Sequence, residues 1–223
     1  MLWKEFIQDP GKTGAIAQSS PRLARYIAQQ AHLRDKRAVV EFGPGTSVVT
    51  REILRHLRPG ATFFALETNP RLVDLTRRNC PGATVYRASA EEIGHHLQLH
   101  GRDSCDCIIS SLPWANFPRG LQDRILEASY QALQPGGLLL SFSYWQGRVL
   151  PGGQYFRQRL GHYFNHVERS RTVWRNLPPD FPYQAYKYGP ATSPLSPKFA
   201  SSLKLLICSI KSFVYSLRPL SWA

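Results

Sequence analysis

Acidic residues are scarce in this 223-residue chain: 15 Asp and Glu stand against 28 Lys and Arg, a formal charge of +13, and no acidic residue follows Asp180. The excess of positive charge favours an anionic partner, either nucleic acid or an acidic membrane surface. Long apolar runs are also missing, and nothing reaches the roughly 20 residues needed to span a bilayer. The four cysteines, Cys80, Cys105, Cys107 and Cys208, are too scattered for a zinc site or a disulfide framework, and no metal site is expected. Cys105 and Cys107 alternate within an apolar run, which reads as reduced core in a cytoplasmic protein. The opening residues, MLWKEFIQDPGK, lack the apolar stretch of a secretory signal. No internal repeat is found. With 43% hydrophobic and 19% charged residues, the chain has material for one sizeable core.

Residues 38–143 alternate between strand and helix patterns. AVVEF (38–42), TFFALE (62–67), TVYRA (84–88), CDCIIS (105–110) and GLLLSFSY (137–144) read as strands. Helical spacing lies between them at 46–57, 70–79, 90–99 and 119–133. This order predicts an α/β fold with a mostly parallel sheet and helices on both faces. Pro135-Gly136-Gly137 is a strong breaker placed just before the most apolar strand. Beyond Tyr144 the spacing predicts a helix near 153–163, a strand in 166–174 and a last strand in the Pro- and Tyr-rich stretch ending at Tyr188. Residues 189–197 read as a linker, and residues 198–223 place Leu203, Leu206, Ile207, Ile210, Phe213, Val214 and Leu217 on one helical face, with Lys204, Lys211 and Arg218 seven apart. A basic amphipathic helix of this kind suits an anionic membrane surface, or else packs on the core. The division expected is an N-terminal helical entry or lid segment 1–30, a main domain 31–188, the linker and the helix.

The most informative segment is Glu41-Phe42-Gly43-Pro44-Gly45-Thr46-Ser47, which follows an apolar strand and opens a helix. Glycines there let a ligand approach the backbone. A nicotinamide-dinucleotide fingerprint needs a glycine where Val48 stands, and no Gly-Lys-Ser/Thr follows for a Walker-type phosphate loop. Glu41 is instead placed to meet a cationic group. Glu67 ends the second strand about 20 residues on, the position from which a carboxylate holds ribose hydroxyls.

The Glu41–Ser47 segment, Glu67 and Ser110-Ser111-Leu112-Pro113-Trp114 together resemble a class I S-adenosylmethionine-dependent methyltransferase. Thr13-Gly14-Ala15-Ile16-Ala17-Gln18-Ser19-Ser20, Phe142-Ser143-Tyr144 and Trp174-Arg175-Asn176-Leu177-Pro178-Pro179 are similar to motifs of the bacterial phospholipid N-methyltransferases. The resemblance covers about residues 5–188. It implies a Rossmann-like sheet of seven strands, one of them reversed, with S-adenosyl-L-methionine across the strands' carboxyl ends. It implies cofactor contacts from Gly14, Ile16, Glu41, Gly43, Gly45, Thr46, Glu67, Thr68, Ser89, Ala90, Ser110 and Leu112. Two positions depart from the pattern: Ser47 replaces the loop's third glycine, and Ser89 replaces an Asp.

Two acceptors compete. One is the amine of phosphatidylethanolamine, methylated towards phosphatidylcholine by a peripheral enzyme on the inner face of the cell membrane. The other is an adenine N6 in ribosomal RNA, since Ser111-Leu-Pro-Trp114 resembles the Asn-Leu-Pro-Tyr motif of the rRNA adenine dimethyltransferases. Ser111 lacks the amide of that Asn, which favours the lipid. The lipid reading assigns Tyr144 and Trp114 to the reaction centre, and Ser111, Pro113, Phe117, Asn176 and Tyr183 to the acceptor. Aromatic rings would surround an amine that becomes quaternary. A third reading is a membrane- or RNA-binding module that kept the fold and lost the cofactor.

Overall fold

The computed structural model describes residues 20–144, 150–169 and 180–188. The lid residues 1–19 with Gly14 and Ile16, Asn176, the side chain of Tyr144, the linker and the C-terminal helix lie outside the described residues. The chain divides into two units, Met1–Tyr188 and Gly189–Ala223.

Seven strands form one sheet: β1 Ala38–Phe42, β2 Thr62–Glu67, β3 Thr84–Arg87, β4 Cys105–Ser110, β5 Leu133–Tyr144, β6 His166–Arg169 and β7 Asp180–Lys187. Their order is β3-β2-β1-β4-β5-β7-β6. The first five pair in parallel, and β7 runs antiparallel to both β5 and β6, so it is the one reversed strand. This is the Rossmann-like methyltransferase fold. The order reverses between β1 and β4, and a parallel sheet opens a crevice for a ligand at the carboxyl ends flanking such a switch.

Six helices are described: α1 Pro21–Gln30, α2 Val48–His56, α3 Pro70–Asn79, α4 Ile93–Leu99, α5 Arg119–Ala132 and α6 Pro151–Tyr163. Alternate strand residues feed two cores. Val39, Phe63, Ala65, Cys107 and Ile109 meet Leu23 and Ile27 of α1, Val49 and Ile53 of α2 and Val73 of α3. Val40, Phe42, Phe64, Leu66 and Ile108 meet Ile93 and Leu97 of α4, Ile125 and Leu126 of α5, and Phe156 and Leu160 of α6. The two sets lie on opposite faces because successive side chains of a strand do. Residues 21–30, expected within the helical entry or lid segment, form a helix whose apolar side packs in the first of these cores. Its start is set by Pro21 at the first helical position and by Ser20, whose hydroxyl accepts from the Leu23 amide at 3.2 Å. Cys80, Cys105 and Cys107 are free, buried thiols, and burial pushes Cys107 up to about 12.

One local expectation is corrected. The Pro135-Gly136-Gly137 breaker lies inside β5 and does not precede it. Cys105 pairs with Leu133 and Cys107 with Leu138, so the extra residues of β5 arch out as a bulge, with Gly136 at φ 81°. Gly137 has no room for a Cβ, which would sit 2.8 Å from the Gln134 carbonyl oxygen.

Candidate active site

The site grows from the ends of β1, β2 and β4. β1 is buried along its whole length and ends in Glu41-Phe42, and the chain then turns sharply through Gly43 (φ 69°) and Gly45 (φ 53°). Side chains rarely adopt these left-handed angles. At Gly43 space is short as well, since a Cβ would lie 3.2 Å from Leu112 Cδ2. Ser47 also takes a positive φ, 68°. It fills the missing glycine's place by burying its hydroxyl, which donates to Thr76 Oγ1 at 3.1 Å, and Thr76 Oγ1 donates in turn to the Gly45 carbonyl at 3.4 Å. The departure at Ser47 is therefore compensated by α3.

Glu41 is fully buried on the α2 side of the sheet. One carboxylate oxygen accepts from Thr50 Oγ1 at 2.8 Å; the other, Oε1, has no partner. Burial pushes its pKa up to about 8, opposed by the Thr50 bond and reinforced by the nearby Glu67. Glu67 ends β2 half-buried, and burial raises it too, against bonds from the backbone amides of Asn69, Thr68 and Gly45. The Asn69 amide donates to Glu67 Oε1 at 2.9 Å, and Asn69 itself caps α3. Two carboxylates, with no ion pair to a cation among the described residues, thus flank a loop of bare backbone.

On the far side of the switch, Ser110 is buried at the end of β4, and Ser111 follows with its amide donating to the Phe42 carbonyl at 2.9 Å. Ser111 Oγ is buried without a partner. So is Ser141 Oγ, on the β5 residue in register with Ser110. Three unpartnered polar atoms, from Glu41, Ser111 and Ser141, thus lie at the carboxyl ends of three adjacent strands.

Ser89 sits at the end of β3 and caps a short turn, Ala90–Glu92. Its hydroxyl donates to Glu91 Oε2 at 3.0 Å, and Arg124 of α5 holds the other Glu91 oxygen at 2.5 Å. A carboxylate is therefore present beside position 89, two residues later than the Asp of the family pattern. Of the other expected cofactor contacts, Ala90 is buried, Thr46 and Leu112 are half-buried and Thr68 is exposed.

The expected acceptor residues divide. Ser111, Pro113 and Phe117 are half-buried around the turn after β4. Trp114 and Tyr183 pack as core. The turn Trp114–Asn116 folds the indole inward, where it is 2% exposed and stacked on Phe156 at 4.3 Å, and its Nε1–H donates to Ser110 Oγ at 3.2 Å. Tyr183 meets Phe156 edge-on at 6.3 Å. Both rings stiffen the wall behind the turn and do not stand exposed as an aromatic surround.

Gln122, a buried amide of α5, stands outside the expected site residues. Its Nε2 lies 2.7 Å from the Trp114 carbonyl oxygen, 3.1 Å from that of Phe117 and 3.1 Å from that of Gly152. It ties the post-β4 turn to α6. The signal was present: Gln122 shares the stripe of Ile125, Leu126 and Ser129, where a polar side chain is out of place unless it is bonded. Gly152 completes this joint, because a Cβ there would fall 2.2 Å from the Ala115 carbonyl oxygen. Gly152→Ala is expected to destabilise the protein by about 1–3 kcal/mol or more, read as a lower urea midpoint with unchanged m-value.

Residues 40–141 match the family described as a methyltransferase domain. Over 136 residues the chain is 29% identical to an ornithine lipid N-methyltransferase from Singulisphaera acidiphila, spanning 60% of this chain and 71% of that protein. Over 95 residues it is 27% identical to a dimethyladenosine transferase from Chaetomium thermophilum, covering 43% of this chain and 24% of that protein. Among solved structures, an O-methyltransferase from Bacillus cereus in complex with SAH aligns with TM-score 0.64 and 15% identity, covering 80% of this chain and 86% of that one. The O-methyltransferase TomG from Streptomyces achromogenes, in complex with SAM, aligns with TM-score 0.64 and 14% identity over 83% of this chain and 89% of that one.

Residues 40–141 thus carry a methyltransferase domain, on the fold of the class I methyltransferases. The protein is an S-adenosylmethionine-dependent enzyme, and the residues present suit that cofactor. Glu41 carries an orphaned buried oxygen that could meet a cationic group, Gly43 and Gly45 leave backbone bare, and the Glu67 carboxylate could accept from hydroxyls. Among the described residues no His, Cys, Asp and Glu cluster could hold a metal ion, and no helix is long and apolar enough to cross a membrane.

Proposed function

We propose that this enzyme methylates the amine headgroup of a membrane lipid, with phosphatidylethanolamine and its partly methylated products as acceptors. The observation that carries the reading is the likeness to a lipid N-methyltransferase across 71% of that protein's length. Ser111 supports it, because a hydroxyl replaces the amide that the adenine-methylating pattern places after β4.

Bound S-adenosylmethionine would supply a methyl group already activated on a sulfonium. Glu41, Gly43, Gly45 and Glu67 would hold it, and the chain's remaining task is alignment and desolvation. Ser111, Pro113 and Phe117 belong to the turn nearest the glycine loop and would bound the acceptor's approach. Gln122 and Trp114 fix that turn from behind. An amine is nucleophilic only when unprotonated, and partial burial beside Ser111, Pro113 and Phe117 would disfavour its ammonium form.

A second reading, adenine methylation in RNA, is favoured by the shorter match to a dimethyladenosine transferase. Producing the full chain in a bacterium whose membranes contain phosphatidylethanolamine but no methylated derivative separates the two. Mono-, di- or trimethylated phosphatidylethanolamine in the lipid extract is expected. Unaltered lipids, with new dimethyladenine in ribosomal RNA, would overturn the lipid reading.

A further inference from the structure

The two helical layers differ in charge. On one face of the sheet, α4, α5 and α6 carry Arg119, Arg124, Arg157 and Arg159 against Asp123 and Glu127, with Glu91 and Glu92 in the turn before α4. Ion pairs fix much of that charge: Arg124 binds Glu91, and Arg159 binds Asp123 at 2.6 Å. On the other face, α1 exposes Arg22 and Arg25, α2 exposes Arg51 and Arg55, and α3 exposes Arg71, Arg77 and Arg78. Its acidic residues are Glu52, buried and paired with Arg55, and the exposed Asp74.

Three of these arginines also serve the fold: Arg55 pairs with Glu52, Arg77 donates to the Val85 carbonyl oxygen at 2.7 Å, and Arg78 lies with Arg77 in the last turn of α3, where a cation suits the helix dipole. None of α1, α2 and α3 has an acidic residue in its first turn. Arg51 and Arg71 lie in the first turns of α2 and α3, where a cation opposes the helix dipole. α2 starts just after the glycine loop and α3 just after Glu67, so both first turns lie at the cofactor end of the sheet. Among the described helices the excess of positive charge therefore lies on one layer, with Arg51 and Arg71 at the cofactor end of the sheet.

We propose that the outer face of α1, α2 and α3 docks the enzyme on an anionic bilayer. The choice of a lipid surface rests on the acceptor reading above. It is supported by chemistry: guanidinium forks match phosphate oxygens, while the exposed large apolar side chains of the described residues, Leu99, Leu150 and Tyr188, all lie off this layer. A single-stranded RNA track would instead interleave aromatic rings for stacking. Attachment through this layer is electrostatic and salt-sensitive.

The test compares the full chain with R25Q/R71Q on this face and R119Q/R157Q on the other. Sedimentation is measured with vesicles of phosphatidylethanolamine and phosphatidylglycerol at about 0.1 M salt. Each charge near an anionic surface is worth about fivefold in partitioning, so R25Q/R71Q is expected to bind at least tenfold more weakly. R119Q/R157Q is expected to stay within about twofold of the parent. Equal SAH binding by calorimetry in all three shows an intact fold and site. Equal vesicle binding by parent and R25Q/R71Q, equal loss in both doubles, or loss of RNA binding with no vesicle binding by the parent would each overturn the proposal. Vesicle binding that depends on Arg25 and Arg71 without methyl transfer to lipid would support the docking face and sink the acceptor reading alone.

Discussion

Replacing Trp114 with alanine is expected to remove about 3–5 kcal/mol of stability, the range for truncating a large buried aromatic. The indole is stacked on Phe156 and edge-on to Phe117, and its N–H satisfies Ser110. Truncation would open a cavity between the post-β4 turn and α6, and would release the turn that Gln122 holds. Trp114→Phe keeps most of the stack and loses the bond to Ser110, a cost of about 1 kcal/mol. Urea unfolding followed by far-UV circular dichroism ranks the two. If Trp114→Ala cost under 1 kcal/mol while abolishing methyl transfer, the ring would belong to the acceptor and not to the core.

The second large effect lies at Glu41. Its pKa in the folded protein is raised to about 8, whereas an unfolded glutamate titrates near 4.3, as an order of magnitude. Between those values the unfolded chain releases the proton and the folded, unliganded protein keeps it. The group's contribution to stability is therefore complete at low pH, falls as pH rises between the two values, and levels off above about 8. Glu41→Gln removes that slope, so the unliganded variant is expected to be more stable than the parent at pH 8.5 by a few kcal/mol at most. The same change should weaken SAH binding at least tenfold, because an amide cannot neutralise the ligand's ammonium group. Thermal unfolding from pH 5 to 9, with calorimetric titration of SAH, checks both halves. A variant that binds SAH like the parent would remove Glu41 from the site.

Much of the fold was legible because each central strand is a short apolar run closed by a turn signal. Residues 38–42, 62–67 and 105–110 are strands with the bounds expected, and 70–79 is a helix whose Pro70 and Asn69 mark its start. The misread start of β5 has a physical cause. Pro135-Gly136-Gly137 does break regular pairing, but a bulge lets the strand resume in register on the same partner, and that partner is not visible locally. At the site, glycines and carboxylates were legible because their chemistry is tied to a turn between strand and helix. Thr50, nine residues beyond Glu41, was not, since its role appears only when α2 packs over β1. Trp114 was misjudged for a similar reason: the turn's sequence does not say which side its ring takes, and Phe156, which decides it, arrives 42 residues later.

Methyl transfer to an amine lipid at a bilayer is the central claim, and labelled S-adenosylmethionine tests it most directly. The full chain would be given mixed vesicles of phosphatidylethanolamine and phosphatidylglycerol, and in parallel unmethylated ribosomal RNA. Lipid products would be resolved by chromatography and RNA digested to nucleosides. Label is expected in methylated phosphatidylethanolamine, with none in adenine. Label confined to adenine, or absent from lipid while SAH binding is intact, would contradict it.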